Sequence, residues 1–177
     1  VDGPVLETKY RSFVGRQPVP IVYGMTIGEY AMMLTGENWL SEKANAYADY
    51  FKKVEQHHPD TPFHFMTIKC KEYDHKTKYV LPVKPSPNLP NIQSIYLYPS
   101  TCFFEGTVLS EGRGTPKPFQ VFGHPSLPKN LYSFTPNPNE GAKNSKLYGQ
   151  LCYGWDLSGT PEEVLARINN KIQLKWF

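Results

Sequence analysis

Apolar residues recur at helical spacing in three stretches of the chain. In the first, Ile27, Tyr30, Ala31 and Leu34 share one face behind Thr26 and Glu29, whose separation is that of a capping box, and Gly36 supplies a stop. A second stripe, Ala44, Tyr47, Ala48, Phe51 and Val54, predicts a helix over 41–56. The third opens on Thr160-Pro161-Glu162-Glu163, a capping box with proline in the first turn, and carries Val164, Ile168 and Ile172. With no glycine to end it, this helix is expected to run to Trp176 and Phe177. A shorter helix over 91–98 is expected to stop at Pro99, which has no backbone donor.

Strand-like runs occupy 63–70 and 78–83, on either side of the turn-like Tyr73-Asp74-His75-Lys76, and again 151–156. Residues 1–22 read as extended, since Pro18 and Pro20 oppose helix. The run from Pro85 to Pro90 cannot be regular, and 125–146 reads as one long loop rich in Pro, Asn and Gly. His57-His58-Pro59-Asp60-Thr61-Pro62 interrupts the second helix, and composition shifts there from helix formers to strand formers. This predicts a boundary between 1–60 and 61–177. There is no internal repeat.

The 177 residues suffice for one domain or parts of two. The chain opens on Val1 without an initiator Met or a signal-peptide pattern, and it closes on aromatics in an expected mid-helix. Both features suggest a piece of a longer protein, with any targeting segment outside it. No apolar run approaches the ~18 residues that a membrane span needs. Nineteen basic and 16 acidic residues are interspersed for a net charge of +3, which forms no basic stripe of the kind that neutralises nucleic-acid phosphates. Seventeen prolines and 14% aromatics suggest a loop-rich fold with flat apolar faces suited to sugars, peptides or packing. Cys70, Cys102 and Cys152 lack C-x-x-C spacing, which leaves at most one disulfide and excludes a zinc ribbon.

Little of the standard catalytic vocabulary is present. His57, His58, Asp60 and His64 are metal-ligand types, but adjacent histidines on a regular element cannot face one ion, so a solvated loop is the simpler reading. No G-x-S-x-G occurs, and Gly112-Arg113-Gly114-Thr115 lacks the third glycine of a dinucleotide fingerprint and the lysine of a phosphate loop, so no cofactor is expected. The stretch 103–119 stands apart, because it sets Glu105, Glu111, Arg113 and three glycines among Phe103, Phe104, Val108 and Leu109. A carboxylate at the edge of an apolar segment titrates high unless a cation accompanies it. Arg113 can serve Glu105 or Glu111, either at a functional site or as an ion pair that merely pins the loop. Asn88, stiffened by Pro87 and Pro90, can present its amide to a ligand or cap the following helix.

Taken together, several blocks resemble one family. They are Ser12-Phe13-Val14-Gly15, Pro18 through Glu29, Pro85-Ser86-Pro87-Asn88-Leu89-Pro90, Tyr96-Leu97-Tyr98-Pro99, Phe104-Glu105-Gly106-Thr107, Ser110 with Gly112-Arg113-Gly114-Thr115, and Pro118-Phe119. In this order they look like the signature of the NamZ-like exo-β-N-acetylmuramidases, formerly a domain of unknown function. The resemblance implies a glycoside hydrolase of peptidoglycan recycling that releases N-acetylmuramic acid from non-reducing ends of cell-wall fragments. It implies an α+β fold class overall: a Rossmann-like α/β first domain, of which 1–60 would be the tail, followed by an α+β second domain over 61–177. The sugar would sit in the cleft between them. The glutamate usually proposed as catalytic falls in the first domain and outside this chain, as does the family's last stretch. Tyr23 stands where many relatives carry His.

On that reading Glu105 is the catalytic candidate in this chain, and Arg113, Asn88, Ser86, Tyr23 and Thr107 are substrate-binding candidates. The partner would be a muropeptide or muramic-acid saccharide, without metal or cofactor. A periplasmic or extracellular location follows from that substrate. Muramic acid carries a lactyl carboxylate that its neighbour glucosamine lacks, so selective binding calls for a fixed cation, and arginine offers a planar fork. Glycoside hydrolysis calls for a pair of carboxyl groups, or one assisted by the substrate's acetamide. The competing reading is a non-catalytic cell-wall carbohydrate-binding module with Tyr96, Tyr98 and Trp155 as platforms.

Overall fold

The computed structural model describes residues 2–5, 7–11, 18–22, 24–46, 49, 53 and 67–177. The chain divides into two compact units, Val1–Lys78 and Tyr79–Phe177. Helices accompany small antiparallel sheets, an α+β mixture. The expected boundary at residues 60 and 61 lies outside the described residues, as do His57, His58, Asp60 and His64.

In the first unit, strands β1 (Asp2–Val5) and β2 (Pro20–Val22) pair antiparallel, Asp2 opposite Val22 and Val5 opposite Pro20. Helix α1 (Ile27–Gly36) begins as its sequence predicts: Glu29 N donates to Thr26 Oγ1 at 3.2 Å and Thr26 N to Glu29 Oε2 at 2.8 Å. These bonds satisfy two backbone donors that a helix start otherwise leaves open. Residues 42–46 are helical, with the Ser41 hydroxyl accepting from Ala44 N, and most of the remaining predicted helix lies outside the description. The Asp74 turn is present, its carboxylate accepting from Lys76 N at 2.9 Å. The strands expected on either side of it are not: 67–70 and 78–83 have no strand pairing, while 63–66 are not described. Branched apolar residues there follow strand chemistry, but strand formation needs a partner edge, and Ile68, Val80 and Val83 are left exposed.

The second unit centres on a three-stranded sheet. Strand β5 (Cys152–Asp156) lies between β3 (Val121–His124) and β4 (Tyr132–Phe134), antiparallel to both. Strand β4 falls inside the stretch that sequence predicts as loop, because Tyr132 and Phe134 project to one face and complete the edge of β5. Alternation along β3 sends Val121 to a cluster with Phe134 and Cys152, and Phe122 to the larger core of Leu97, Phe104, Leu157, Val164 and Ile168. Helices α2 (Ile92–Thr101) and α3 (Pro161–Ile168) supply the other side of that core.

Two helix ends differ from their sequence expectation. Helix α2, capped by Asn91 Oδ1 accepting from Ser94 N, passes through Pro99 to Thr101 and tightens into a 3₁₀ turn, Cys102–Gly106. Proline removes one helical bond, and burial of Leu97, Ser100 and Thr101 outweighs that loss. Helix α3 keeps its predicted capping box but stops at Ile168, because Asn169 takes the left-handed conformation (φ 49°) that a glycine would otherwise provide. The remaining residues fold back: Gln173 N donates to Ser100 Oγ at 3.0 Å, and the Phe177 ring stacks on Phe104 at 4.3 Å. All three cysteines are free thiols.

A buried polar seam joins α2 to the segment before β3. Ser94 Oγ donates to Pro118 O (2.9 Å), Gln120 Nε2 to Ser94 Oγ (3.0 Å), and the Thr101 hydroxyl lies 3.0 Å from both Leu97 O and Phe119 O. Replacing Thr101 by Val keeps the shape and removes that shared proton. Thr101→Val is expected to lower stability by about 1–3 kcal/mol, the penalty of a buried unsatisfied acceptor. A lowered urea midpoint with an unchanged slope would show it.

Candidate functional site

The loop after the 3₁₀ turn is hung from the sheet at Ser110 and pinched at its neck. Ser110 and Gly123 exchange both backbone bonds, N to O at 2.8 and 3.0 Å, adding one pair to the edge of β3. Phe119 N then donates to Glu111 O at 2.8 Å, so the chain leaves at 111 and returns at 119. Between those points Gly112 and Gly114 both have left-handed φ, 81° and 83°. A methyl group at Gly112 would lie 2.8 Å from Lys117 O, and one at Gly114 2.7 Å from Asn137 O. The glycine pair therefore answers to backbone geometry, and Arg113 is held between two bends.

Arg113 joins two carboxylates. Its Nε donates to Glu111 Oε1 at 2.6 Å and its Nη2 to Glu105 Oε2 at 3.0 Å, bringing together two of the residues that sequence singles out, eight positions apart. The carboxylates differ in setting: the Glu111 side chain is 1% exposed, the Glu105 side chain 37%. Lys146 Nζ stands 3.0 Å from Glu111 Oε2, so two cations face two carboxylates. The Arg113 guanidinium also lies over the Phe119 ring, 5.8 Å from its centroid, and Tyr98 meets that ring edge-on at 4.9 Å.

Burial pushes the Glu111 carboxyl up, but Arg113 and Lys146 outweigh it and hold the group below its ordinary value. For Arg113, burial acts downward and is outweighed by Glu111 and Glu105, which leaves the guanidinium more firmly protonated than usual. Burial and the Glu105 charge push the Cys102 thiol up, so it is not poised as a nucleophilic thiolate. The site thus offers a solvent-reaching carboxylate, a fixed guanidinium over the buried Phe119 ring, and the partly exposed Tyr98 beside it.

The other predicted residues are placed differently. The Thr107 hydroxyl donates to Phe104 O (2.8 Å) and accepts from Leu109 N (3.1 Å), closing the turn after Glu105. Ser86 Oγ accepts from Asn88 N, and Asn88 Nδ2 donates to Gly141 O at 2.7 Å, so this amide ties two loops together while Asn91 caps α2. Tyr23 lies outside the described residues. Of the aromatic platform candidates, Tyr96 packs against the core, Tyr98 borders Phe119, and Trp155 stacks on Phe122 at 5.3 Å with 46% exposure. Sequence reasoning missed Lys146, and also the 2.6 Å pair of Lys117 and Asp156 beneath Tyr132. Both depend on contacts between distant positions and leave no local spacing to read. Among the described residues no group of His, Cys, Asp and Glu could hold a metal ion, and no helix is long and apolar enough to cross a membrane.

Two family models match this chain, the N-terminal part of exo-β-N-acetylmuramidase NamZ over residues 1–93 and its C-terminal part over 96–175. The chain belongs to the NamZ family. It is 34% identical to the peptidoglycan β-N-acetylmuramidase NamZ of Bacillus subtilis strain 168, across 98% of this chain and 41% of that protein. It is also similar to crystal structures of two DUF1343 family proteins of Bacteroides fragilis NCTC 9343. One has 44% identity and a TM-score of 0.80, covering 99% of this chain and 44% of the other. The second, at 22% identity and a TM-score of 0.65, covers 97% and 48% and shares the fold. The chain thus spans less than half the length of these NamZ and DUF1343 relatives.

Replacing Glu111 by Gln removes the charge on which both cations converge. Glu111→Gln is expected to destabilise the protein by about 3–5 kcal/mol at neutral pH, as when one partner of a buried pair is lost. The folded-state carboxyl titrates below its ordinary value of 4.5, so its stabilisation is complete above that value and fades as pH falls through the folded-state value. Denaturation series at several pH values should show the gap between parent and variant narrowing in acid. A gap that widened there would contradict this assignment.

Proposed function

We propose that this chain forms part of an exo-acting glycoside hydrolase that releases N-acetylmuramic acid from non-reducing ends of peptidoglycan fragments, with Glu105 and Arg113 lining the sugar site. The observation that carries the reading is the accessible Glu105–Arg113 pair, anchored from within by Glu111. Membership of the NamZ family and likeness to a named peptidoglycan β-N-acetylmuramidase support it. Residues 1–60 would then be the tail of a Rossmann-like domain that supplies further catalytic groups.

Arg113 is the selective element. Its Nε stays on Glu111, and among the described residues Nη1 makes no hydrogen bond, so the outer edge of the guanidinium can receive the lactyl carboxylate of muramic acid. Glucosamine has no such group and would leave that edge unused. Glu105 is the carboxyl that reaches the reacting sugar, as proton donor and acceptor or by orienting an acetamide that attacks its own anomeric carbon. The Ser86, Asn88 and Thr107 turns would wall the pocket. A muropeptide substrate places the protein in the periplasm or outside the cell.

In the full-length protein, Glu105→Gln is expected to lower turnover of a chromogenic muramic-acid glycoside by about 10²–10⁴, the usual contribution of a general acid or base. Arg113→Lys should raise KM for that glycoside and leave the weaker glucosamine analogue little affected. Unchanged turnover in Glu105→Gln removes Glu105 from the site. A protein that binds muropeptides but hydrolyses none would favour a carbohydrate-binding module, with exposed Trp155 as its platform.

A further inference from the structure

Lys146 approaches from the stretch between β4 and β5 and reaches the end of the 3₁₀ turn that carries Glu105. Its Nζ donates to Phe104 O at 2.8 Å, Glu105 O at 3.2 Å and Thr107 O at 3.2 Å. An ammonium has three protons, and these three carbonyls take them all. Glu111 Oε2 lies 3.0 Å from the same nitrogen and is ion-paired with it, with no other partner among the described residues.

This geometry does two things at once. It gathers the carbonyls on either side of Glu105 onto one cation, at the end of a turn where backbone carbonyls carry partial negative charge. It also neutralises the inner oxygen of Glu111 without drawing on Arg113. The guanidinium can then give Nε to Glu111 and Nη2 to Glu105. Were Lys146 absent, a buried carboxylate with an unmet oxygen would attract both arms of the arginine fork, the arrangement that such pairs favour, and Glu105 would lose its partner.

We propose that Lys146 is a positioning residue of the anionic-sugar site: it fixes the backbone at Glu105 and keeps the outer edge of Arg113 turned toward a substrate carboxylate. The inference rests on the reading of Glu105 and Arg113 as sugar-site residues. Lysine suits the task better than arginine, because a compact ammonium with three rotatable donors fits a cup of three carbonyls and a planar fork does not.

The test uses the full-length protein and two glycosides, one of muramic acid and one of glucosamine, assayed where circular dichroism shows each variant folded. Lys146→Met should lower kcat/KM for the muramic-acid glycoside by about 100-fold, the effect of misplacing a reacting group by roughly 1 Å, and should shrink the preference over glucosamine. The double variant Glu111→Gln/Lys146→Met removes the buried charge together with its counter-ion. It should regain only part of the thermal stability lost in Lys146→Met, because the stranded carboxylate is gone while Arg113 is left without its inner partner, and its turnover should stay low because the three carbonyls still lack their donor. Lys146→Arg should keep the stability and recover only part of the activity.

If turnover and sugar preference match the parent in folded Lys146→Met or in the double variant, Lys146 positions nothing. Should Lys146→Met fail to fold, the double variant and Lys146→Arg decide. Failure of the underlying reading is separate, since Glu105→Gln would then also turn over at the parental rate. A crystal structure of Lys146→Met adds a check independent of activity: Arg113 should have left Glu105 for a two-armed grip on Glu111, and an unmoved Arg113 overturns the proposal.

Discussion

A carboxylate with almost no access to water governs this half of the molecule. Glu111 is 1% exposed, and the effective penalty for taking such an ion out of water is several kcal/mol. The fold meets it by converging on the group. Arg113 bends back from between two left-handed glycines, and Lys146 arrives from beyond β4. The backbone contributes as well, since Glu111 O receives Phe119 N and closes the loop that carries Arg113. What lies at the surface is set by these inner bonds: the direction of Arg113, the ring beneath it, and the carbonyls on either side of Glu105.

The features legible in the sequence are those decided within a few residues. Both capping boxes form as their spacing dictates, because Thr26 with Glu29 and Thr160 with Glu163 satisfy each other's backbone inside a single turn. The turn at Asp74 and the central strand β5 are equally local or strongly patterned. Features decided at a distance escaped. Tyr132-Ser133-Phe134 becomes a strand only because the edge of β5 is open to it, and residues 78–83 have equal strand chemistry but no edge to join. Pro99 does not end α2, since a buried face on the far side of the proline outweighs one missing donor. Asn169 ends α3 in the conformation usually left to glycine, a substitution that composition alone does not reveal.

The candidate site divides along the same line. Glu105, Glu111 and Arg113 stand out because charged residues among phenylalanines and glycines need a reason, and the reason proves to be mutual pairing. Lys146 carries no such mark in the sequence. It lies in a polar loop among other lysines and asparagines, and only the three-dimensional return of that loop makes it the donor to three carbonyls. Asn88 shows the converse. Its proline-stiffened setting is real, yet the amide is spent on Gly141 O, a bond between loops rather than a helix cap.

Whether the Glu105–Arg113 pair is structural or functional is a question with a division inside it. The bond from Arg113 to Glu111 ends on a carboxylate that is almost wholly buried, and breaking it would strand that charge. The bond from Arg113 to Glu105 is roughly one-third exposed on both sides, and ion pairs in such settings contribute only about 0–1 kcal/mol. An interaction that stabilises so little can be exchanged at little loss for one with an incoming carboxylate, while the inner bond keeps the guanidinium in place. The arginine is therefore rigid where it meets the protein and replaceable where it meets water, and those are the two properties that the proposed recognition of an anionic sugar would require of a single side chain.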